Sequence, residues 1–291
     1  MKQKSDTNKK NKTKEMYDKL VKGVTHIISS GKYTEFLAFS KSFHHYSFNN
    51  LVLIYSQMPN ATRVAGFKTW EKLGRKLKKG EKGIQIFFPL KRTYIKNKIA
   101  GQASLIDDTK VEDTQEIIEY LTYRPTYVFD ISQTVGKPIP EASLCEKLNS
   151  NNMNEFFDFL LSFSPYPILE QSLRGSLYGY WNPKEKHIAL NQKLSIDDKV
   201  STLLHELTHA LYDDFDYQND KKLSETFVES VAFIVADFFG LDTSRCSFGY
   251  IAAYASDVKV ILELGDKIQK TANQFIKQIK EYQEQGLKII A

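Results

Sequence analysis

Residues 195–213 read SIDDKVSTLLHELTHALYD, and the reading of this stretch decides the C-terminal half of the chain. Ser195–Asp198 provides an N-terminal cap, and Val200, Leu203, Leu204, Leu207, Ala210 and Leu211 recur at helical spacing. The spacing predicts a buried helix that ends near Asp213. His205 and His209, four apart, share one face of it, with Cβ atoms roughly 5–6 Å apart. Two imidazoles so placed suit one tetrahedral ion, and a nitrogen-rich donor set suits Zn2+. Glu206 lies about 100° round the helix from His205, within reach of a water on that ion, as its general base.

A third ligand is expected downstream. The segment SETFVESVAFIVADFFG predicts a helix over about 224–239 that stops at Gly240. Phe227, Val228, Val231, Phe233, Ile234 and Val235 dominate it, yet it carries Glu225 and Glu229 on one face. Carboxylates on so apolar a helix are costly without partners. The favoured division makes Glu225 the ligand and Glu229 the acceptor for the far ring nitrogen of a ligand histidine. The alternative exchanges the two. Tyr212, Tyr217 and His187 are candidate electrophiles, and the sequence does not choose among them.

Upstream, Ser176–Tyr180 and His187–Asn191 read as strands around a turn at Asn182-Pro183-Lys184-Glu185. Asn154–Phe163 reads as a helix, as does the amphipathic stretch from Phe248 to Gln285. The His-Glu-x-x-His helix followed by Glu225-Thr226-Phe227-Val228-Glu229 resembles the zincin metallopeptidases of the gluzincin type. The resemblance implies an edge strand for an extended peptide where the strand pair 176–191 falls. The short gap from His209 to Glu225 makes the domain a minimal version.

The N-terminal half has different chemistry. Residues 1–100 carry 22 Lys+Arg against 6 Asp+Glu, and the remainder 18 against 29. A charge division this large points to two modules with different partners, the basic one suited to polyanions. Met16, Leu20, Val24 and Ile27 predict a helix over about 14–28, behind a disordered basic tail at 1–13. Phe36 to Tyr55 reads as a second helix ended by Pro59. Arg63–Ala65, Leu77 and Ile84–Leu90 read as extended, Tyr94–Ile106 as a hairpin, 107–120 as an acidic insertion and Arg124–Ser132 as a closing strand. Between about 43 and 90 cations interleave with rings, the combination with which single-strand binders track phosphates and stack on bases. The candidate residues are Asn49, Asn50, Arg63, Phe67, Lys68, Trp70, Lys72, Arg75, Lys78, Lys79 and Lys82. At least one of Phe87 and Phe88 belongs to the core, since neighbours on a strand face opposite ways.

Tyr46-Ser47-Phe48-Asn49-Asn50, then 61–70 (ATRVAGFKTW), 79–84 (KGEKGI) and 128–134 (VFDISQT) resemble the N-terminal domain of the ArdC antirestriction family. The C-terminal part resembles that family's zincin domain, akin to the ImmA/IrrE metallopeptidases, and Tyr250-Ile251-Ala252-Ala253-Tyr254 fits its closing segment. The resemblance implies a single-stranded DNA-binding domain joined to a zincin domain, carried on plasmids and other conjugative elements and linked to protecting incoming DNA from restriction. The expected fold is α+β: the tail, a helical/β DNA-binding module at 14–134, a linker at 135–152, and a minimal gluzincin-like domain with a helical tail at 153–291.

A composition of 42% hydrophobic residues excludes a disordered chain, and two distant cysteines, Cys145 and Cys246, exclude a disulfide scaffold. No run approaches ~18 apolar residues and no signal opens the chain, so a cytoplasmic protein with no membrane partner is expected. The expected partners are single-stranded DNA and a protein substrate, the expected cofactor Zn2+, and the expected activity metallopeptidase. The alternative is a non-catalytic DNA-binding antirestriction protein whose zinc is structural or regulatory. A nuclease fits less well, because nuclease sites are usually oxygen-rich and hold magnesium.

Overall fold

Helix α1 spans Lys2–Ser29 and turns Met16, Leu20, Val24 and Ile27 inward, each at most 3% exposed. The computed structural model describes residues 2–43, 46–97, 103–105, 115–139, 150–215, 219–241 and 258–290; in 2–13, 91–97, 103–105, 115–121, 150–152 and 285–290 it describes backbone alone. The α1 helix continues back through residues 2–13, where the sequence predicts a disordered tail. Neither proline nor glycine interrupts that segment.

The helix predicted from Phe36 to Tyr55 is two helices. They are α2 (Tyr33–Ser40), which runs into a 3-10 turn at Lys41–Phe43, and α3 (Phe48–Gln57), whose N-cap is Ser47. Helix α3 buries Leu51, Val52, Leu53 and Ile54 and crosses α1 at Gly23, where an added Cβ would stand 2.5 Å from the Ser56 hydroxyl.

Short elements follow: β1 (Val64–Ala65), α4 (Phe67–Lys72) and β2 (Arg75–Leu77). Strands β3 (Ile84–Asn97), β4 (Ala103–Leu105) and β5 (Gln115–Asp130) form the long antiparallel sheet, with order β1-β5-β3-β4. The β3–β5 register runs from Ile84 opposite Val128 to Asn97 opposite Gln115. Residues 115–120, read as part of an insertion, are therefore strand, because Glu116, Ile117, Ile118 and Glu119 find partners across the ladder.

Where β3 has no strand neighbour besides β5 among the described residues, side-chain amides of α3 take the strand's place. Asn50 Nδ2 donates to Phe87 O at 2.9 Å and its Oδ1 accepts from Phe87 N at 2.8 Å. Gln57 does the same two residues along, at Gln85. An open strand edge invites other chains, and the two amides close this one.

The closing motif is built on Asp130, which is 1% exposed. Its carboxylate accepts from the backbone N–H groups of Thr62, Arg63 and Ser132, while Gln133 Oε1 accepts from Asp130 N–H. Strand β6 (Thr134–Gly136) then pairs with β2, so the expected linker starts inside the sheet structure.

The C-terminal part opens with α5 (Ser150–Phe163), which takes up the last residues of the expected linker. A three-stranded sheet follows, ordered β7 (Ile168–Gln171), β9 (His187–Asn191), β8 (Gly179–Asn182). Strands β8 and β9 form the expected hairpin; β7 runs parallel to β9. Helices α6 (Ile196–Tyr212), α7 (Lys221–Phe238) and α8 (Val258–Ile290) complete the α+β fold. The Ser195 hydroxyl accepts from Asp198 N–H at the start of α6, as its sequence predicts. The segment Tyr250–Tyr254 lies outside the described residues.

One apolar core runs through both halves. Across the seam, Tyr33 and Ser230 share a buried hydrogen bond at 3.1 Å, and Lys41 pairs with Asp237 at 2.7 Å. Among the described residues, no helix is long and apolar enough to cross a membrane.

Candidate metal centre and basic surface

Helix α6 buries Leu203, Leu204 and Leu207, which turns His205 and His209 toward α7. There the Glu225 carboxylate meets both rings: Oε2 lies 3.6 Å from His205 Nε2 and 3.8 Å from His209 Nε2. One donor atom from each of the three residues falls within 4.8 Å of the others. Ligand atoms about 2.0–2.1 Å from one tetrahedral ion stand roughly 3.3 Å apart. The observed spacing is close to that, and the donor set suits a divalent ion.

His209 Nδ1 lies 2.7 Å from Asp213 Oδ2, one turn further along α6. Asp213 is itself anchored: Ser224 Oγ donates to Oδ2 at 2.6 Å and Phe215 N–H to Oδ1 at 3.1 Å. This pins the ring with Nε2 toward Glu225. The hydrogen bond anticipated from Glu229 is thus made by Asp213, because Asp213 follows His209 by four on the same helix face. Among the described residues, Glu229 makes no hydrogen bond to either histidine; burial and the neighbouring charge of Glu225 push its pKa up to about 7.

Electrostatics separate the two rings. Burial and the charge of His209 push His205 down to about 4. Burial acts the same way on His209, but the bonds to Asp213 and Glu225 outweigh it and hold that ring up at about 9. Glu206 is 8% exposed, and burial raises its carboxyl to about 7, against the pull of His209 and a hydrogen bond donated by the Trp181 backbone N–H. Trp181 lies on β8, one of the sheet's two edge strands, so that edge runs beside Glu206. Of the candidate electrophiles, Tyr212 donates its hydroxyl to Gln278, His187 sits 3.4 Å from Glu185, and Tyr217 lies outside the described residues.

The residues proposed for DNA divide into two groups. Phe67 is 48% exposed on α4 with exposed Lys68 and Lys72, and Lys79 and Lys82 are exposed at a turn where Gly80 takes a φ of +88°. Five of the others are occupied by the fold. Trp70 is 2% exposed and donates its indole N–H to Phe129 O, so it offers no face to a base. Asn50 is spent on the β3 edge. Arg75 binds Thr134 and the carbonyls of Gly136 and Lys137, and Lys78 donates to Ser132 O. Arg63 is half-buried, and its backbone N–H is held by Asp130.

Phe87 packs against the core, whereas Phe88 is exposed under the Arg124 guanidinium. Asn49 is half-buried, and its Oδ1 has no hydrogen-bond partner among the described residues. Among the described residues of the N-terminal half, three exposed rings escape the sequence reading: Tyr17, Tyr123 and Tyr127. Tyr123 and Tyr127 stand four apart on one face of β5, and that period is the signal that could have found them.

Residues 6–129 match the family of the N-terminal domain of anti-restriction factor ArdC. An uncharacterized Bacillus anthracis protein, pXO2-81, is 26% identical over 95% of this chain. The chain spans about half, 53%, of that relative's length. Two crystal structures of the antirestriction protein ArdC from plasmid R388 share the fold. The metal-free one has a TM-score of 0.54 at 19% identity, covering 81% of this chain and 85% of that one. The Mn(II)-bound one has a TM-score of 0.57 at 17% identity, covering 91% and 97%.

Proposed function

We propose that this chain, whose residues 6–129 match the N-terminal domain of anti-restriction factor ArdC, binds single-stranded DNA and carries a zinc metallopeptidase-like centre that serves the protection of incoming DNA. The observation that carries the metal reading is the convergence of His205, His209 and Glu225 beside a buried Glu206. These three residues would hold the ion, and Asp213 fixes the tautomer of His209. A bound Zn2+ supplies Lewis acidity and lowers the pKa of a coordinated water.

The chain's own groups do the rest. Glu206, with a carboxyl near neutrality, takes a proton from an attacking water and returns it to a leaving amine. The Trp181 N–H holds that carboxylate in place. Edge strand β8 offers main-chain groups to an extended peptide. Exposed Phe67 and the lysines around it supply stacking and phosphate contacts to a single strand.

The plasmid R388 protein has both metal-free and Mn(II)-bound structures, so its fold stands without the ion. That favours a catalytic or regulatory metal over a structural one. The test is Glu206→Gln. The variant is expected to keep its zinc and its DNA affinity and to lose hydrolysis of unfolded protein substrates. Hydrolysis at the wild-type rate in this variant would place the base elsewhere.

A further inference from the structure

Away from the metal centre, a cavity of about 580 Å3 opens between α1, the start of α3, the long sheet and α8. Among its walls are Tyr17, Asn49, Phe87, Tyr123, Glu263 and Asp266. We infer that this cavity is a pocket for one splayed-out nucleobase bearing an exocyclic amino group, held within a DNA strand. The inference rests on the single-stranded DNA reading above and names what one part of that surface recognises.

Four observations carry it. The volume lies in the range of small-ligand sites. Tyr17 and Tyr123 are 51% and 53% exposed, and Phe87 meets Tyr123 edge-on at 6.2 Å, which leaves ring faces on which a base can stack. The Asn49 Oδ1 is buried and has no partner among the described residues, although buried acceptors are nearly always paired. Its neighbour Asn50 spends both amide groups on Phe87, so the two asparagines differ in task. Turned by a change of rotamer toward the cavity that it lines, the Asn49 amide complements a base edge that offers an N–H.

The fourth observation is charge. Glu263 and Asp266 place carboxylates at the cavity, where they accept from amino groups and repel phosphate. Lys259 and Lys270, which pair with those acids at 3.9 and 2.6 Å, put cations on the same stretch of α8. The base therefore enters the cavity while its phosphates stay outside, near the lysines. Cytosine and adenine satisfy the acceptors. Thymine turns two carbonyl oxygens toward them and is disfavoured. The pocket takes walls from both halves of the chain, and α8 also packs along α7, which carries Glu225.

The experiment compares oligo(dC), oligo(dA) and oligo(dT) of about 12 nucleotides, with deoxycytidine monophosphate as the free-nucleotide arm. The wild-type protein is expected to bind the dC and dA strands at least about fivefold tighter than dT, the discrimination one amide–base pair supplies. Asn49→Ala is expected to abolish that preference, bringing the dC and dA affinities down to that for dT. Glu263→Gln with Asp266→Asn, at the α8 wall of the cavity, is expected to shrink it. Equal affinity for all three strands, or a preference that survives both variants, overturns the pocket and leaves single-strand binding standing. Free nucleotide binding as tight as the strand overturns it too. Failure of every strand to bind sinks both readings together.

Discussion

His209 is oriented by Asp213, and Asp213 by Ser224 and the Phe215 N–H, so a short relay fixes one imidazole before any ion arrives. Asp213→Ala is expected to weaken zinc binding by about 10- to 100-fold, the usual cost of removing such a partner, measured by competition with a chelator. Unchanged affinity would make the contact incidental. The histidine pair and Glu206 were legible because a helix puts i and i+4 on one face whatever surrounds it. That Glu225 meets both rings was legible because a carboxylate on an apolar helix calls for a partner. Asp213 was not, since it follows the last helical turn beside Asp214 and looks like a polar helix end. Trp70 and Asn50 were misread for a related reason. An aromatic or amide among lysines looks exposed in sequence, and only the tertiary fold shows that Phe129 and Phe87 claim them.

Helix α8 joins the halves by packing on α1 and α3 as well as on α7. Gly265 lies inside it, where glycine costs about 1 kcal/mol relative to alanine. The reason for glycine is Phe48 of α3: an added Cβ would stand 2.4 Å from its ring. Gly265→Ala is therefore expected to lower the melting temperature despite the better helix propensity, by overpacking worth about 1–3 kcal/mol. Phe48→Leu in the same chain is expected to recover part of the loss. A rise in melting temperature for Gly265→Ala alone would deny the close approach. The helices and the β8–β9 hairpin followed from periodicity and turn residues. The break between α2 and α3 did not, because Phe36, Phe39 and Phe43 continue the period through the 3-10 turn. The parallel β7–β9 pair rests on long-range pairing that no local pattern encodes.

For the whole molecule, the division of charge sets a basic N-terminal surface beside an acidic half that carries His205, His209 and Glu225. Lys79→Glu with Lys82→Glu is expected to weaken single-stranded DNA binding for every sequence alike. The plot of log affinity against log salt should flatten by roughly 0.7 for each phosphate no longer neutralised. An unchanged slope would remove the Gly80 turn from the interface. That the halves share one core, closed by Tyr33 on Ser230 and Lys41 on Asp237, lay beyond sequence reading, because the partners are nearly two hundred residues apart.

The most direct measurement of the central claim is the metal content of the purified protein after dialysis against trace zinc, compared among wild type, Glu225→Ala and Glu229→Ala. One zinc per chain is expected in wild type and in Glu229→Ala, and almost none in Glu225→Ala. Zinc retained without Glu225, or lost with Glu229, would contradict the assignment of the centre to His205, His209 and Glu225.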